Sequence, residues 1–160
     1  MEPSISNVPK HIGIILDGNR RFSKRLLMKP WQGHEMGAKK IEKLFDWCKE
    51  YEVKEITLYA FSIENFDRPK EEFEFLMKLF EKEFKSMFED KRLEEESIKV
   101  NFIGRINMFP KSLQDIMQKL MEKTKKNTKF IVNFAMAYGG RAEIIDATKK
   151  IAEQVKSGKL

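Results

Sequence analysis

Cysteine is almost missing from this sequence: Cys48 is the only one, which excludes an intramolecular disulfide and any multi-cysteine zinc or iron cluster. A lone thiol suits a reducing compartment, so the expected location is cytoplasmic. Long apolar runs are missing too. The longest stretch without a charged residue runs from Phe130 to Gly140, well short of the ~18 residues that a spanning helix needs. The first residues lack the basic-then-apolar order of a secretion signal. Internal repeats, low-complexity tracts and Gly/Ser linkers do not occur, so residues 1–160 are expected to form a single α/β domain.

What is present is enough apolar material for a core: 41% of the residues are hydrophobic and 11% aromatic, which argues against disorder. Lysine and arginine number 31 against 25 aspartates and glutamates, a formal charge of +6. That excess admits phosphates, nucleic acid or an anionic membrane as partners. Nucleic acid ranks last, because no base-stacking or groove-reading feature accompanies the charge. The acidic run Glu94 to Glu96 is most simply a solvated loop or helix end.

Short apolar runs alternate with longer amphipathic ones, the pattern of a mostly parallel sheet flanked by helices. The runs His11–Leu16, Glu55–Phe61, Ile98–Ile103 and Phe130–Ala135 are rich in Ile, Val, Phe and Tyr, as buried strands are. Helical spacing appears in Ile41, Leu44, Phe45 and Cys48, in Leu113, Ile116, Met117 and Leu120, and in Ile144, Thr148, Ile151 and Val155. Pro69 and Pro110 stand where first turns begin, and Gly158 where the last helix can stop. The segment from Pro69 to Phe88 has a wide face of Phe, Leu and Met, which reads first as a core helix and, as the alternative, as one wall of a channel for a greasy chain.

In an open parallel sheet, ligands bind beyond the carboxyl ends of the strands. The residues there are polar in all four cases: Asp17 to Arg21, then Ser62, Glu64, Asn65 and Arg68, then Gly104-Arg105, then Tyr138 to Arg141. All are expected on one rim. Arginines after the first two strands are planar, permanent cations that fork onto phosphate oxygens, and a loop opening a helix offers backbone N–H groups to the same anion. Gly18 lets the main chain approach closely, and Asp17 could hold Mg²⁺ against phosphate oxygens. Taken alone, Asp17-Gly18-Asn19 reads first as a tight turn, and the shared rim with the arginines is what points to a site. His34, near a helix start, could donate to a phosphate or relay a proton, and a capping or solvent-facing role explains it as well. The small residues from Asn133 to Ala137 could leave room for a ligand or simply pack.

Four blocks, in order and spacing across nearly the whole chain, resemble the cis-prenyltransferases, of the undecaprenyl diphosphate synthase type. They are His11-Ile-Gly-Ile-Ile-Leu-Asp-Gly-Asn-Arg-Arg-Phe22, Gly33-His34 with Gly37-Ala38-Lys39, Leu58 through Pro69, and Asn133 through Arg141. The resemblance implies an α/β sheet with helices around a hydrophobic tunnel. It implies a transferase of isoprenoid biosynthesis, a cis-type polyprenyl diphosphate synthase that condenses isopentenyl diphosphate with an allylic diphosphate. By motif position Asp17 becomes the essential carboxylate and magnesium ligand. Gly18, Asn19, Arg20, Arg21 and Phe22 cradle the allylic diphosphate with His34 and Arg68. Asn65 acts near the proton lost from the second substrate, by positioning more easily than as a base, and Ser62, Ile63, Glu64 and Phe66 shape that pocket. No Asp-Asp-x-x-Asp run of the trans-type enzymes occurs.

Two departures stand out. Pro30, with Lys29 beside it, occupies a position where the family carries a basic residue, and Phe22 one where it carries tryptophan. Nothing matches the family's carboxyl-terminal region, with its Arg-x-Ser-type segment for isopentenyl diphosphate and its acidic magnesium partner. The expectation is therefore an incomplete piece of a normally longer, homodimeric enzyme, missing two sheet strands and in doubt as a catalyst by itself, that touches membrane only through its lipid product. The alternative is a non-catalytic subunit that binds prenyl diphosphate and completes its site through a partner.

Overall fold

Backbone alternation explains most of what the chain builds. The computed structural model describes residues 8–29 and 31–160. Along them run β1 (His11–Ile15), α1 (Asn19–Arg25), α2 (Gln32–Glu50), β2 (Glu55–Ser62), α3 (Lys70–Glu89), the single turn α4 (Arg92–Glu95), β3 (Ile98–Ile103), α5 (Lys111–Thr124), β4 (Phe130–Tyr138) and α6 (Gly140–Lys156). All four expected strands form, and they pair in parallel in the order β1-β2-β4-β3. The α/β architecture is the one expected, with β4 reaching three residues beyond its expected end.

Successive side chains on a strand point to opposite faces. One face presents Ile56, Leu58, Val100, Phe102, Val132 and Phe134, all buried beneath α2, α3 and α5. Phe45 of α2 meets Phe130 edge-on, and Phe84 of α3 meets both Phe102 and Phe134. A register shift in β2 after Tyr59 inserts Ala60 as an extra residue, so that Phe61 pairs with Met136. That bulge turns the Phe61 ring to the covered side, where it contacts Phe66, Phe73, Phe80 and Phe109.

The opposite face carries a polar ladder instead. Asn101 Nδ2 donates to Asn133 Oδ1 at 2.8 Å, Asn133 Nδ2 donates to Glu55 Oε1 at 2.7 Å, and His11 Nε2 lies 2.8 Å from Thr57 Oγ1. Asn133 is therefore engaged across the strands, Ala135 to Ala137 are packed, and Phe134 both packs and faces open space beneath the helices. Ile144, Ile145, Ile151 and Val155 of α6 are exposed although they follow a helical stripe, because no described element lies against them. A bidentate pair, Arg105 to Asp146 at 2.9 and 3.0 Å, ties α6 to the loop after β3.

Proline opens two of the helices. Pro69 and Pro110 occupy the N-cap positions of α3 and α5, and Glu71 and Glu72 in the first turn of α3 oppose the positive end of its dipole. Gly158, with φ of +69°, follows the end of α6. No helix among the described residues is long and apolar enough to cross a membrane.

Candidate functional site

Where β1 ends, the chain turns sharply: Asp17 N–H donates to the Ile15 carbonyl at 2.9 Å, and Gly18 takes φ of +89°, a left-handed conformation natural to glycine. The turn launches α1, which packs against α2 at Gly33 and Gly37, four residues apart on one helical face. A Cβ on Gly33 would be driven into the Asn19 carbonyl oxygen, and one on Gly37 would fall 2.6 Å from Asn19 Oδ1. The tight turn forms, and Asp17, Gly18 and Asn19 also line a cleft.

That cleft, of about 70 Å³, is lined by Leu16 through Arg21 with His34 and Arg68. At its outer edge Asp17 Oδ2 accepts from Arg21 Nη2 at 2.9 Å, with both side chains largely in solvent, and Asp17 Oδ1 accepts from the Gly18 N–H. Behind its inner edge, in contact with His34, Arg68 and Arg20 of the lining, lies Glu72, whose side chain is only 3% exposed. Arg68 Nη1 donates to Glu72 Oε1, while His34 Nε2 and Arg20 Nε lie 3.3 and 3.6 Å from the same oxygen. His34 Nε2 is also 3.2 Å from Arg68 Nη1, so one tautomer donates to the carboxylate and the other accepts from the guanidinium.

Electrostatics follow from this packing. Burial pushes the His34 imidazolium below the usual histidine range, and the neighbouring charge of Arg68 adds to it against the Glu72 hydrogen bond. Burial alone would raise the Glu72 carboxyl, but hydrogen bonds from Arg68 and His34 with the two guanidinium charges outweigh it and hold the carboxyl low. The inner edge thus joins an ionised carboxylate, two arginines and a neutral imidazole.

Behind the cleft opens a cavity of about 860 Å³ between the covered sheet face, α2 and α3. Its rim carries Asp17, Asn19, His34, Ser62, Asn65 and Arg68, and its interior is walled by Ile41, Phe45, Leu76, Leu79, Phe80, Phe84, Met87, Val100, Val132 and Phe134. Ile41, Phe45, Phe80 and Met87 pack against the core on one side and face this space on the other, so they are only partly buried. The Pro69–Phe88 segment forms a core helix that also lines this cavity. A charged rim with an apolar interior suits a ligand with an anionic head and a hydrocarbon tail.

The structure brings Asp17, Gly18, Asn19, Arg20, Arg21, His34 and Arg68 to one cleft, and Ser62 and Asn65 to the adjoining rim. Asn65 Oδ1 accepts from the Ser62 N–H at 3.1 Å, which leaves its Nδ2 donor as the group to offer a ligand. Phe66 stacks among Phe61, Phe73 and Phe109 instead of lining the cavity. Ile63 packs at Gly139, Glu64 is exposed, and Phe22 is half-exposed outside both spaces. Pro30 lies outside the described residues. The loops after β3 and β4 share the rim but line neither space: Arg105 is spent on Asp146, and the Tyr138 carbonyl accepts from Tyr59 Oη at 3.0 Å. Sequence reasoning missed Glu72, which stood in plain view four residues after Arg68 at helical spacing.

Among the described residues no group of three His, Cys, Asp or Glu side chains could hold a metal. Asp17 is the one carboxylate at the cleft's open edge. A single carboxylate fits only an ion that keeps waters and takes its other oxygens from a bound phosphate, which is the habit of Mg²⁺.

Comparison with known proteins converges on one family. A family model described as undecaprenyl diphosphate synthase matches residues 15–160. The tritrans,polycis-undecaprenyl-diphosphate synthase (geranylgeranyl-diphosphate specific) of Pyrococcus horikoshii is 49% identical over 153 residues, covering 96% of this chain and 58% of that protein. Among solved structures, lavandulyl diphosphate synthase from Lavandula x intermedia, in complex with dimethylallyl diphosphate, superposes with a TM-score of 0.89 at 30% identity, over 94% of this chain and 64% of that one. A structure described as a probable undecaprenyl diphosphate synthase from Campylobacter jejuni gives a TM-score of 0.75 at 30% identity, over 92% and 63% of the two chains. The chain thus spans somewhat over half the length of the curated relative it matches.

Proposed function

Because this chain belongs to the undecaprenyl diphosphate synthase family of prenyltransferases, we propose that it provides the allylic-diphosphate site and tail cavity of a cis-type polyprenyl diphosphate synthase. The reaction joins the terminal alkene carbon of isopentenyl diphosphate to the first carbon of an allylic diphosphate. The allylic carbon–oxygen bond breaks, diphosphate leaves with the bonding electrons, and a proton lost from the second substrate leaves a new cis double bond. One observation carries the proposal: the cleft that gathers Arg20, Arg21 and Arg68 opens into a cavity with an apolar interior, so a diphosphate and its tail are accommodated together. The geranylgeranyl-diphosphate specificity in the name of the Pyrococcus horikoshii relative makes geranylgeranyl diphosphate the proposed starter.

Each residue then has a part. Arg20, Arg21 and Arg68 fork onto the diphosphate oxygens, where negative charge grows as the bond breaks. Glu72 holds Arg68 and Arg20 in place, and neutral His34 donates or accepts beside them. Gly18 and Asn19 set the turn that presents Asp17. Asp17 is the residue that would hold Mg²⁺, which when bound offsets charge on the departing diphosphate. Asn65 and Ser62 orient the second substrate, while Ile63, Glu64 and Phe66 shape the turn that carries them, and Phe22 flanks the entrance. The remaining isopentenyl diphosphate contacts are proposed to come from outside this chain. A homodimeric cytoplasmic protein that meets membrane through its lipid product completes the proposal; the buried lone thiol of Cys48 fits a reducing compartment.

Calorimetric titration with geranylgeranyl diphosphate tests this directly. Micromolar binding that strengthens with Mg²⁺, weakens with competing inorganic diphosphate and is lost in Arg68→Ala is the expected result. Equal binding of geranylgeraniol, which lacks the diphosphate, would overturn it. Labelled isopentenyl diphosphate then separates a self-sufficient catalyst from a subunit that forms product only with a partner.

A further inference from the structure

Helix α1 ends on a residue that is disfavoured twice over. Leu27 has φ of +53°, in the left-handed region that suits glycine or asparagine, and its side chain is 97% exposed. The turn itself is regular. The Leu27 N–H donates to the Lys24 carbonyl at 3.2 Å and the Met28 N–H to the Ser23 carbonyl at 3.0 Å, which closes the helix. The other described helix ends that turn this way use Glu52 after α2, Ser97 after α4 and Gly158 after α6. Among these ends, α1 alone carries a large apolar side chain.

Leu27 also has company. Its neighbour Leu26, and Phe22 one helical turn earlier, are 49% and 46% exposed. Between Asp17 and Glu35 the sequence holds Arg20, Arg21, Lys24, Arg25 and Lys29 and no acidic residue. Arg20 and Arg21 are engaged with Glu72 and Asp17, whereas among the described residues no carboxylate pairs with Lys24, Arg25 or Lys29. The loop is anchored from behind: Lys29 Nζ lies 5.2 Å from the centre of the Trp31 ring, and that ring meets Phe75 of α3 at 6.3 Å.

We propose that the end of α1 is a membrane-docking tip, on which Leu27, Leu26 and Phe22 enter the interface of an anionic bilayer while Lys24, Arg25 and Lys29 meet its headgroups. Sequence alone predicts membrane contact only through the lipid product. Here the protein surface itself makes the contact, and the inference does not depend on the reaction proposed above. Apolar side chains in the interface leave water, and cations at their flanks gain from the negative surface potential. A second copy is a poor occupant, since two such faces bring like charges together with no carboxylate to answer them. A leucine held at a glycine position costs the folded chain stability, and burial against a partner is what offsets that cost. Helix α1 has seven residues and is about 10 Å long, so docking holds the diphosphate cleft at its other end close to the headgroups.

The test is co-sedimentation of the whole chain with vesicles of equimolar phosphatidylcholine and phosphatidylserine, without prenyl diphosphate. Binding is expected, weakened by salt and much weaker on phosphatidylcholine alone. Leu27→Gly should loosen it about tenfold and yet raise the midpoint of a urea melt, because it relieves the left-handed strain. A residue with a structural part only would move both the same way. Leu27→Asn, which also tolerates this backbone, should lose as much binding. Lys24→Gln with Arg25→Gln should cost about fivefold per charge, whereas Lys149→Gln with Lys150→Gln on α6, the same change in net charge, should cost little. Binding of geranylgeranyl diphosphate in detergent should be unchanged in every variant. No binding to the anionic vesicles, an equal loss from the α6 pair, or a self-associated dimer that Leu27→Asn disperses in place of vesicle binding would overturn the proposal.

Discussion

The two ends of the cavity use the same ingredients, arginine and carboxylate, to different physical effect. At the rim, Glu72 is almost wholly buried and gathers Arg68, Arg20 and His34 around one oxygen. At the far end, where α4 adjoins the cavity, Arg92 and Asp90 are 52% and 28% exposed, so water screens much of their attraction. A carboxylate that cannot reach water fixes its partners in one geometry, which suits a site that must present guanidinium groups to an anion. A half-solvated pair adds little to stability.

The largest expected effect on binding tests whether Asp17 belongs to the binding chemistry and not merely to the turn. Asp17→Ala should weaken Mg²⁺-dependent binding of geranylgeranyl diphosphate about hundredfold, while a urea melt moves by less than about 0.5 kcal/mol because the side chain is 72% exposed. Equal loss of both would reduce the residue to a structural turn. Glu72→Ala should do the opposite at the inner edge, costing about 3 kcal/mol by leaving Arg68 and its neighbours without their carboxylate, and should loosen diphosphate binding as well. Gly33→Ala, by forcing a Cβ against the Asn19 backbone, should cost about 2 kcal/mol in the same melt and spoil the cleft through its support.

Acid should act on the rim in two steps. The folded His34 titrates below its ordinary 6.5, so the unfolded chain takes the proton first; its contribution to stability is full above pH 6.5 and fades as pH falls through the folded value. Glu72 titrates below its ordinary 4.5, and its contribution is full above pH 4.5 and fades beneath it. Stability followed against pH should therefore decline in two stages, and His34→Gln should flatten only the first. Smallest of all, Arg92→Ala at the far end should shift the melt by no more than about 0.5 kcal/mol. A cost comparable with that of Glu72→Ala would erase the contrast between the ends.

Much of this was legible in the chain. Four strands and their parallel pairing were carried by short β-branched and aromatic runs separated by amphipathic segments, whereas the order β1-β2-β4-β3 was not. Asp17, Arg21 and Arg68 were marked by lying just after strands. Less legible were the residues whose part depends on a neighbour from elsewhere in the chain. Ile63, Glu64 and Phe66 sit beside Ser62 and Asn65 in sequence, but the 3-10 turn over Ile63–Asp67 points them away, and Phe66 joins an aromatic cluster completed by Phe109. Glu72 carried a local clue in its spacing from Arg68, and its burial against His34 did not.

By itself the sequence determined the elements, since propensity, periodicity and proline or glycine punctuation act within a few residues of one another. It also determined which polar residues would stand at the carboxyl rim, because a parallel sheet puts every strand end on the same side. Only the tertiary structure decided which of them share one cleft, that α2 and α3 stand apart from the sheet to leave a cavity, and that Lys49 meets Glu96 at its far end. Those outcomes depend on distances between segments far apart in the chain, and on whether water reaches a charge, which no local pattern of residues encodes.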